Sequence, residues 1–476
     1  MSMKEVCCPY FDPEFENLNE RIYGPRVCVD NESCEKCTVV KVDSLNKQDL
    51  LLQVVQVLTD MDLFISKSYI SFDAGWLMDV FHVKDQRGNK VTDNGFINYL
   101  QQSIVTRREL KNSGELKACS EDTVKAEPES TSECTAIEMI GTNRPGIFSE
   151  ISAVLAEQRC NIVEAHAWSH NACVACVAYV SDESTSTCID DPNRLATIED
   201  HLSTVLRPTT VTDDEFKGAK TRFLGCDSST SHKERRLHQL MLANHDFHEP
   251  PGPTRASFSS AASDSDEDGR RTTVSIDPCN EKGYSCVNVE CLDRPKLMFD
   301  IVCTLTDLQY VIFHASITSH GLFASQEYYI RDKDGCILNS VDEKQRVTKC
   351  LEAAIERRVC EGVRLELCAK TSVGLLPYIT RVLREYGLTV VRADIATDGG
   401  RMKNVFYVQD ISGNEVDMDI VESMQKELEP LALQVKNEVP QRPTSIEKES
   451  FSLGGEPNRL SFSLVFDSVD LGSNQC

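Results

Sequence analysis

The stretch Gly141-Thr-Asn-Arg-Pro-Gly-Ile147 follows a short apolar run and precedes a helical one. Asn143 within it has three counterparts in similar surroundings, at Asn46, Asp293 and Thr371. Twenty-seven positions after each of these four residues lies a small turn, and thirty-nine positions after each lies an aspartate. Constant offsets between otherwise different segments indicate an internal repeat. The chain therefore contains four copies of one unit, which we number one to four in chain order.

The turns predict β-hairpins in every copy. They begin at Asp73, His170, His320 and Asp398 and are followed by Gly, Asn or Ala-Gly. Gly and Asn tolerate the positive φ that two-residue hairpin loops require. A second turn follows the aspartates, at Gly88, Gly335 and Gly413, with Thr185 in copy two.

Hydrophobic spacing supplies the rest of the unit. In copy two, Ile147, Ile151, Val154 and Leu155 lie at helical spacing, and the next segment is rich in β-branched and aromatic residues. A helix with one apolar stripe covers one face of a sheet. We therefore predict an α+β fold of four ferredoxin-like βαββαβ modules in tandem, each with two helices on a four-stranded antiparallel sheet.

A single module of about 70 residues has a marginal core and bare sheet edges, so we expect the modules to pair within the chain, through sheet edges or stacked helices. The predicted modules are residues 37–108, 134–211, 284–361 and 362–438. Residues 109–133 form a linker, residues 212–283 a linker with one helix between Ser231 and His245, and residues 439–476 a disordered tail. Ser263 in the second linker would suit an acidic-directed kinase, although we interpret its surroundings as a solubilising segment.

Copies three and four are joined differently from the others. Residues 363–368 already serve as the first strand of copy four, which leaves no separate last strand for copy three. We therefore predict a fused pair of these two copies.

Composition narrows the class of protein. The formal net charge of the 476 residues is −25, and such a field repels phosphate backbones, so we expect no nucleic-acid partner. No apolar run approaches the roughly 20 residues that cross a bilayer, and the N-terminus lacks the apolar core of a signal peptide. We expect a soluble protein of the cytoplasm, with the nucleus left open and no membrane association.

The 21 cysteines are expected to be free and mostly buried, because no export signal is present. Two Cys-x-x-Cys pairs invite a test for metal binding. Cys173 and Cys176 lie in a strand, where residues three apart point to opposite faces and cannot bind one ion. Cys34 and Cys37 lack a nearby second pair, and structural zinc usually takes four ligands. We therefore predict no metal site and no cofactor.

The sequence gives little support for an enzyme. His166, Trp168 and His170 share one face of a strand and would suit metal binding or base catalysis, but the other copies have unrelated residues there. We interpret this face as a solvent or interface face. No nucleophile signature, Walker loop or dinucleotide fingerprint is present, so we predict a non-enzymatic protein.

In copy three, Asp293-Arg-Pro-Lys-Leu297 occupies the place of Gly141–Ile147. These residues in a βαββαβ frame resemble the ACT domain, and the four-copy layout resembles the plant ACT-domain-repeat (ACR) proteins over roughly Cys37 to Lys436. The resemblance implies regulatory modules that bind amino acids or other small metabolites, usually between paired modules. The expected ligand is a free amino acid, with a protein partner or homo-oligomer left open.

The resemblance also implies which residues bind the ligand. In the serine-sensing phosphoglycerate dehydrogenases, one Asn precedes the Arg-Pro-Gly and another opens the second strand of the paired module. Copy two matches both, with Asn143 and Asn161, whereas the other copies have Phe64, Val311 and Thr389 at the second position. The loop glycine is replaced by Asp49 in copy one and Lys296 in copy three. The predicted ligand-binding residues are Asn143, Arg144, Gly146, Ile147, Asn161, Gly374 and Leu375.

The chemistry of the loop agrees with this assignment. A glycine where loop meets helix lets backbone N–H groups approach a ligand, and a helix N-terminus favours a carboxylate. An Asn supplies both the donor and the acceptor that an α-amino acid requires. Two alternatives remain open: the loop is merely a favourable helix start, or the repeats form a protein–protein scaffold that has lost ligand binding.

Overall fold

The computed structural model describes residues 26–45, 50–73, 76–112, 134–207, 219–224, 232–248, 272–279, 283–359, 363–372, 374–398, 400–411, 416–428 and 432–436. Ser263, Asp49, Gly413 and the predicted tail lie outside these residues, as does most of the linker at 109–133.

Within the described ranges, the strands form two eight-stranded antiparallel sheets, A and B. Sheet A contains β1 (Arg26–Asp30), β2 (Thr38–Leu45), β3 (Phe64–Asp73), β4 (Trp76–Lys84), β9 (Thr273–Cys279), β10 (Tyr284–Leu292), β11 (Tyr310–His320) and β12 (Phe323–Asp332). Sheet B contains β5 (Thr135–Thr142), β6 (Cys160–His170), β7 (Cys173–Asp182), β8 (Lys220–Leu224), β13 (Val363–Lys370), β14 (Leu388–Asp398), β15 (Arg401–Asp410) and β16 (Ala432–Lys436).

Each module carries two helices. The first helices are α1 (Leu50–Asp60), α3 (Ile147–Glu157), α6 (Leu297–Asp307) and α8 (Leu375–Glu385). The second helices are α2 (Asn94–Asn112), α4 (Pro192–Leu206), α7 (Val341–Glu356) and α9 (Met418–Glu427). One further helix, α5 (Lys233–Ala243), lies where the sequence predicts a helix between Ser231 and His245. The α+β fold of tandem ferredoxin-like modules is confirmed.

The modules pair within the chain through sheet edges, as predicted, but with an interleaved choice of partners. The strand order β1-β2-β4-β3-β11-β12-β10-β9 joins module one to module three. The order β16-β13-β15-β14-β6-β7-β5-β8 joins module two to module four. The predicted fused pair of copies three and four is therefore wrong, since these copies belong to different sheets.

The fourth strand of each module has the same position in the sheet, but it comes from one of two different places in the chain. In modules two and four it follows the second helix, as β8 and β16. In modules one and three it precedes the first strand, as β1 and β9. Only six residues separate α7 from β13, too few to form a strand and return, so β9 fills that place instead. The modules consequently extend beyond the predicted limits at residues 37, 108, 211 and 284.

The helices of each pair cover one face of its sheet and enclose an apolar core. In sheet A this core contains Phe81, Phe299 and Tyr328, and in sheet B it contains Ile137 and Phe406, all less than 2% exposed. The apolar stripes of the helices, which the sequence predicts, face these cores. Burial of this area is the main stabilising contribution.

The junction in sheet B carries an ionic contact across strands β6 and β14. His166 lies opposite Asp394 in the ladder, with Nδ1 2.8 Å from the Asp394 carboxylate. Its Nε2 lies 2.9 Å from a carboxylate oxygen of Glu164. Burial alone would lower the pKa of His166, but the two carboxylates raise it to about 9. His166 is therefore charged at neutral pH and joins module two to module four.

Helix α5 lies between the outer face of sheet B and the helices of sheet A. Leu237 and Met241 pack on Trp168 and Tyr179 of sheet B, forming a third apolar cluster. On its other side α5 contacts α6, where Arg235 lies 2.8 Å from Asp307. The helix thus connects the two module pairs.

Buried charges surround α5. Asp300 of α6 is fully buried and accepts hydrogen bonds from Arg358 at 2.8 Å and from His238 Nε2 at 2.7 Å, and it lies 2.8 Å from Arg294. Burial raises the pKa of Asp300, but Arg358 and Arg294 outweigh this and hold the pKa well below its usual value. Burial lowers the pKa of His238, which leaves its neutral Nδ1 able to accept from Arg357 at 2.8 Å.

We expect Asp300→Ala to lower the free energy of unfolding by about 3–5 kcal/mol, because two buried guanidinium groups lose their carboxylate. Urea unfolding followed by circular dichroism measures the change. Asp190→Ala is the matched control: Asp190 is exposed, and its removal should change stability by less than about 0.5 kcal/mol. An equal effect of the two substitutions would contradict the role assigned to Asp300.

The His166 contact predicts a pH dependence of stability. The folded-state pKa of about 9 lies above the ordinary value of 6.5, so the stabilisation is complete below pH 6.5 and is lost as pH rises through 9. At pH 6, His166→Gln should lower the free energy of unfolding by on the order of 2 kcal/mol. At pH 9.5 the difference in this free energy between the variant and the wild type should be smaller. Urea unfolding at both pH values measures it, with exposed His201→Gln as control. A difference independent of pH would refute the contact's ionic character.

Candidate ligand site between paired modules

The loops before the first helices share one backbone conformation. Gly146, Lys296 and Gly374 each precede a first helix with φ of 80°, 66° and 76°, in the left-handed region. Glycine adopts this conformation without strain, whereas Lys296 adopts it at a cost. Copies two and four therefore have a glycine at the helix N-terminus, and copy three keeps the geometry with a charged side chain.

In copy two the loop is tied to its own module. The backbone N–H of Asn143 donates to the Ala172 carbonyl at 2.7 Å. Arg144 forms an ion pair with Glu150 and donates to the Val205 carbonyl at 3.1 Å. The hydrogen bond from Arg144 lowers the pKa of Glu150. The Arg144 guanidinium is thus engaged within module two.

This loop faces module four across the junction of the pair. The gap between them is lined by Arg144, Gly146, Phe148 and Ser149 of module two, and by Thr380, Arg384, Leu388, Thr389 and Val390 of module four. A Cβ built on Gly146 would lie 2.6 Å from Cδ of Arg384. Gly146 therefore lets the Arg384 side chain pass directly over the helix N-terminus. We call this gap, together with Asn143, the first half-site.

Asn143 and Asn161 lie at opposite ends of sheet B. Thr142, beside Asn143, pairs with Cys173, whereas Asn161 pairs with Ser181. Cys173 and Ser181 are eight positions apart on β7, which corresponds to roughly 27 Å along the strand. The structure therefore does not bring the two predicted asparagines together in one site.

Asn161 instead lies toward the loop of module four. Thr397 of β14 donates to the carbonyl of Ile162 at 3.3 Å, and the Thr371 N–H donates to the Gly400 carbonyl at 3.0 Å. These contacts place the start of β6 near the loop before α8. We call the loop residues Thr371, Ser372, Gly374 and Leu375 with Asn161 the second half-site.

Several buried polar atoms in the half-sites lack a hydrogen-bond partner among the described residues. They are Asn143 Oδ1 and Thr389 Oγ1 of the first half-site and Thr371 Oγ1 of the second. Thr371 is the counterpart of Asn143, and Thr389 is the counterpart of Asn161. Buried polar groups are normally satisfied, and each of these three atoms is available to contact a polar ligand or water.

The two half-sites differ in charge and openness. Arg384 lies thirteen positions after Thr371, and copy two has Ala156 at the corresponding position. A Cβ on Gly374 would meet nothing within 4 Å, in contrast to Gly146. The first half-site is therefore narrow and cationic, and the second is open. No pattern in the sequence of copy two predicts Arg384, because this residue belongs to the end of a helix in another module.

The remaining predicted ligand-binding residues, Ile147 and Leu375, are packed in a hydrophobic core. Ile147 and Leu375 are 1% and 8% exposed and belong to the apolar core of sheet B. Helices α3 and α8 meet above that core, where the hydroxyl groups of Ser152 and Thr380 lie 2.9 Å apart. This contact fixes the spacing of the two helix N-termini.

The loop of copy three also borders a gap toward module one, lined by Thr59, Leu63 and Ile65 on that side, but its cationic side chains are ion-paired within the chain. Lys296 lies 2.8 Å from Glu234 of α5, and Arg294 lies 2.8 Å from Asp300. Helix α5 therefore covers this loop and supplies its counter-charges. The corresponding loop of copy one contains Asp49, which lies outside the described residues.

The side chains on the face of β6 that includes Trp168 and His170 contact residues of other parts of the chain. Trp168 is 1% exposed and lies under the guanidinium of Arg358, 4.7 Å from the ring centre. His170 Nδ1 lies 3.1 Å from the buried carboxylate of Asp246. Within the described part of the chain, no three His, Cys, Asp or Glu residues gather to hold a metal ion. The face that the sequence predicts as a solvent or interface face contacts α5 and β14.

Comparison with known proteins assigns the family. The model of the ACR family N-terminal ACT domain matches residues 33–111, and an ACT domain model matches residues 134–204. Among the helices of the described residues, none is long and apolar enough to cross a membrane.

Relatives that match this chain over most of their length indicate the same family. The chain is 58% identical over 452 residues to ACT domain-containing protein ACR2 of Arabidopsis thaliana, covering 92% of this chain and 90% of that protein. It is 50% identical over 457 residues to ACT domain-containing protein ACR3 of the same plant, covering 95% and 96%. A bifunctional uridylyltransferase/uridylyl-removing enzyme of Gluconobacter oxydans is 32% identical over 81 residues, 17% of this chain and 8% of that enzyme. The chain belongs to the ACR family of ACT domain-containing proteins.

Proposed function

We propose that the chain is a non-enzymatic regulatory protein that binds a free amino acid between modules two and four. The observation that carries this proposal is the set of unsatisfied polar atoms at the half-sites: Asn143 Oδ1, Thr371 Oγ1 and Thr389 Oγ1. Each lies beside a helix N-terminus or at the start of the partner module's second strand. A small polar ligand would satisfy atoms of both modules at once.

The first half-site supports recognition of the α-carboxylate. The N-terminus of α3 offers partial positive charge, and Arg384 adds a full charge beside Gly146. Asn143 Oδ1 and Thr389 Oγ1 are acceptors for an ammonium group. Carboxylate and ammonium thus have separate partners, as a zwitterion requires.

Binding between modules provides the regulatory link. A ligand shifts a conformational equilibrium only by its difference in affinity for the two states. Since each half-site is built from both modules, a ligand gains its full contacts only when β6 and β14 hold their observed register. The amino acid would therefore strengthen the pairing of modules two and four.

The pair of modules one and three supports a different role. The cationic side chains at the loop of copy three are ion-paired with protein carboxylates, Lys296 with Glu234 and Arg294 with Asp300. We propose that this pair serves as the scaffold half of the protein and presents surfaces to a protein partner or a second copy. The net charge of −25 argues against nucleic acid as that partner, and we propose a cytoplasmic location.

Titration with the twenty amino acids should identify one that binds. Isothermal calorimetry should detect heat, and the melting temperature should rise at millimolar ligand, because a ligand that binds only the native state stabilises it. Absence of both effects for all twenty would refute the sensor and leave the scaffold.

A double-mutant cycle should map the half-sites. Asn143→Ala and Thr389→Val should each weaken binding at the first half-site by roughly 5- to 150-fold, the loss of about 1–3 kcal/mol for one buried hydrogen bond. Their effects should be non-additive, because both atoms contact one ligand. Asn143→Ala and Asn161→Ala should be additive, since roughly 27 Å separates them.

Calorimetry of the single and double variants gives the coupling energies. The melting temperatures of the free variants control for unfolding. Strong coupling between Asn143 and Asn161, with none between Asn143 and Thr389, would contradict the assignment of half-sites.

A further inference from the structure

The loop between strands β1 and β2 brings two thiols together. Sγ of Cys34 and Sγ of Cys37 lie 3.1 Å apart, and both cysteines are free. Cys34 is partly exposed, whereas Cys37 is 4% exposed. This is the first of the two Cys-x-x-Cys pairs in the sequence, and the sequence predicts no zinc site at it. Neither the amino-acid site nor the packing of the modules uses it.

The loop is fixed to the body of module one. The carboxylate of Asp30 accepts from the N–H groups of Glu32 at 2.8 Å and Ser33 at 3.0 Å. Asn31 Nδ2 donates to the Val91 carbonyl at 2.9 Å, and Thr38 Oγ1 donates to Asn31 Oδ1 at 2.7 Å. These contacts hold both ends of the loop, so the proximity of the thiols is built into the fold.

The two sulfur atoms have different environments. The Cys37 thiol donates to the sulfur of Cys34, and this hydrogen bond, together with backbone N–H donors of Lys36 and Cys37, lowers the pKa of Cys34. Burial raises the pKa of Cys37 to about 11. The accessible sulfur is thus the one that ionises first, and the thiolate is the nucleophilic form.

A structural zinc site would need further ligands near the pair. Within the described residues no group of three or more His, Cys, Asp or Glu surrounds it. Lys84 and Lys90 act on the pair electrostatically, and their positive charges stabilise a thiolate and repel a metal cation. A dithiol therefore explains the arrangement with the residues present.

We infer that Cys34 and Cys37 form a redox-active dithiol, which a small disulfide of the glutathione class oxidises to an intramolecular disulfide. The Cys34 thiolate attacks one sulfur of the disulfide, and the S–S bond breaks to release one thiolate. Cys37 loses its proton and attacks Cys34 in the mixed disulfide, which releases the second thiolate. One protein disulfide forms and one small disulfide is reduced to two thiols, so atoms and electrons balance.

Oxidation would act at the outer edge of sheet A. Strand β1 is the terminal strand and pairs with β2 from Arg26↔Asp43 to Asp30↔Val39. A covalent bond within the connecting loop restricts the unfolded hairpin and thereby favours the paired strands. The modification would stabilise the edge of the scaffold pair without contact with either half-site.

Peptide mapping of the full-length protein tests the inference. The reduced protein is treated with glutathione disulfide at neutral pH, quenched with acid, alkylated and digested. We expect a Cys34–Cys37 disulfide that dithiothreitol reverses. Exposed Cys28 and Cys336 are the matched controls and should remain largely alkylatable over the same time.

Two variants separate the roles of the thiols. Cys37→Ser should stop at a mixed disulfide of Cys34 with glutathione. Cys34→Ser should leave Cys37 reacting at least about tenfold more slowly than Cys34 does in Cys37→Ser, because Cys37 is buried and protonated. Alkylation of Cys34 and Cys37 at the same rate as Cys28 and Cys336 after treatment of the wild type would overturn the inference. One zinc ion per chain in protein purified without chelator, lost in Cys34→Ser, would also overturn it.

Discussion

The antiparallel contact between the second strands of paired modules is the constraint on which the rest of the structure depends. In sheet B it pairs Arg392 with Trp168 and Ala396 with Glu164, and in sheet A it pairs β11 with β3. A lone module exposes this edge, which is a liability for aggregation. Joining the edges in antiparallel register covers this edge and relates the two modules by a pseudo-two-fold rotation. Each first-helix N-terminus then meets the start of the partner's second strand.

Helix α5 explains why the two pairs differ. It buries apolar side chains on sheet B, which would otherwise expose Trp168, and it places Glu234 over the loop of copy three. Arg358 contacts both Asp300 and Glu234 while stacking on Trp168. A buried network of this kind adds little net stability compared with apolar packing, but it is costly when one member is missing. It therefore fixes one arrangement of the two pairs.

The sequence predicts the features that are encoded locally. The helix starts, hairpin turns and apolar stripes of four modules follow from residues close to one another, and so do Gly146 and Gly374. The partner choice does not, because it rests on contacts such as His166 with Asp394, which lie 228 positions apart. Strands β1 and β9 come before Asn46 and Asp293, the residues from which the repeat offsets are counted. The constant offsets therefore do not predict these two strands. Arg384 and Thr389 join the loop of copy two only through the fold.

The proposed ligand and α5 act on the same strand pair from opposite sides. The half-sites lie at the helix-covered face of sheet B, at the two ends of the β6–β14 contact. On the outer face, Glu164 forms contacts with both His166 and Lys233 of α5. A change in the pairing of β6 with β14 therefore moves a carboxylate that holds α5. Since α5 also contacts the helices of sheet A, binding of the proposed ligand to one pair would change the free energy of its contact with the other, and this coupling would be reciprocal.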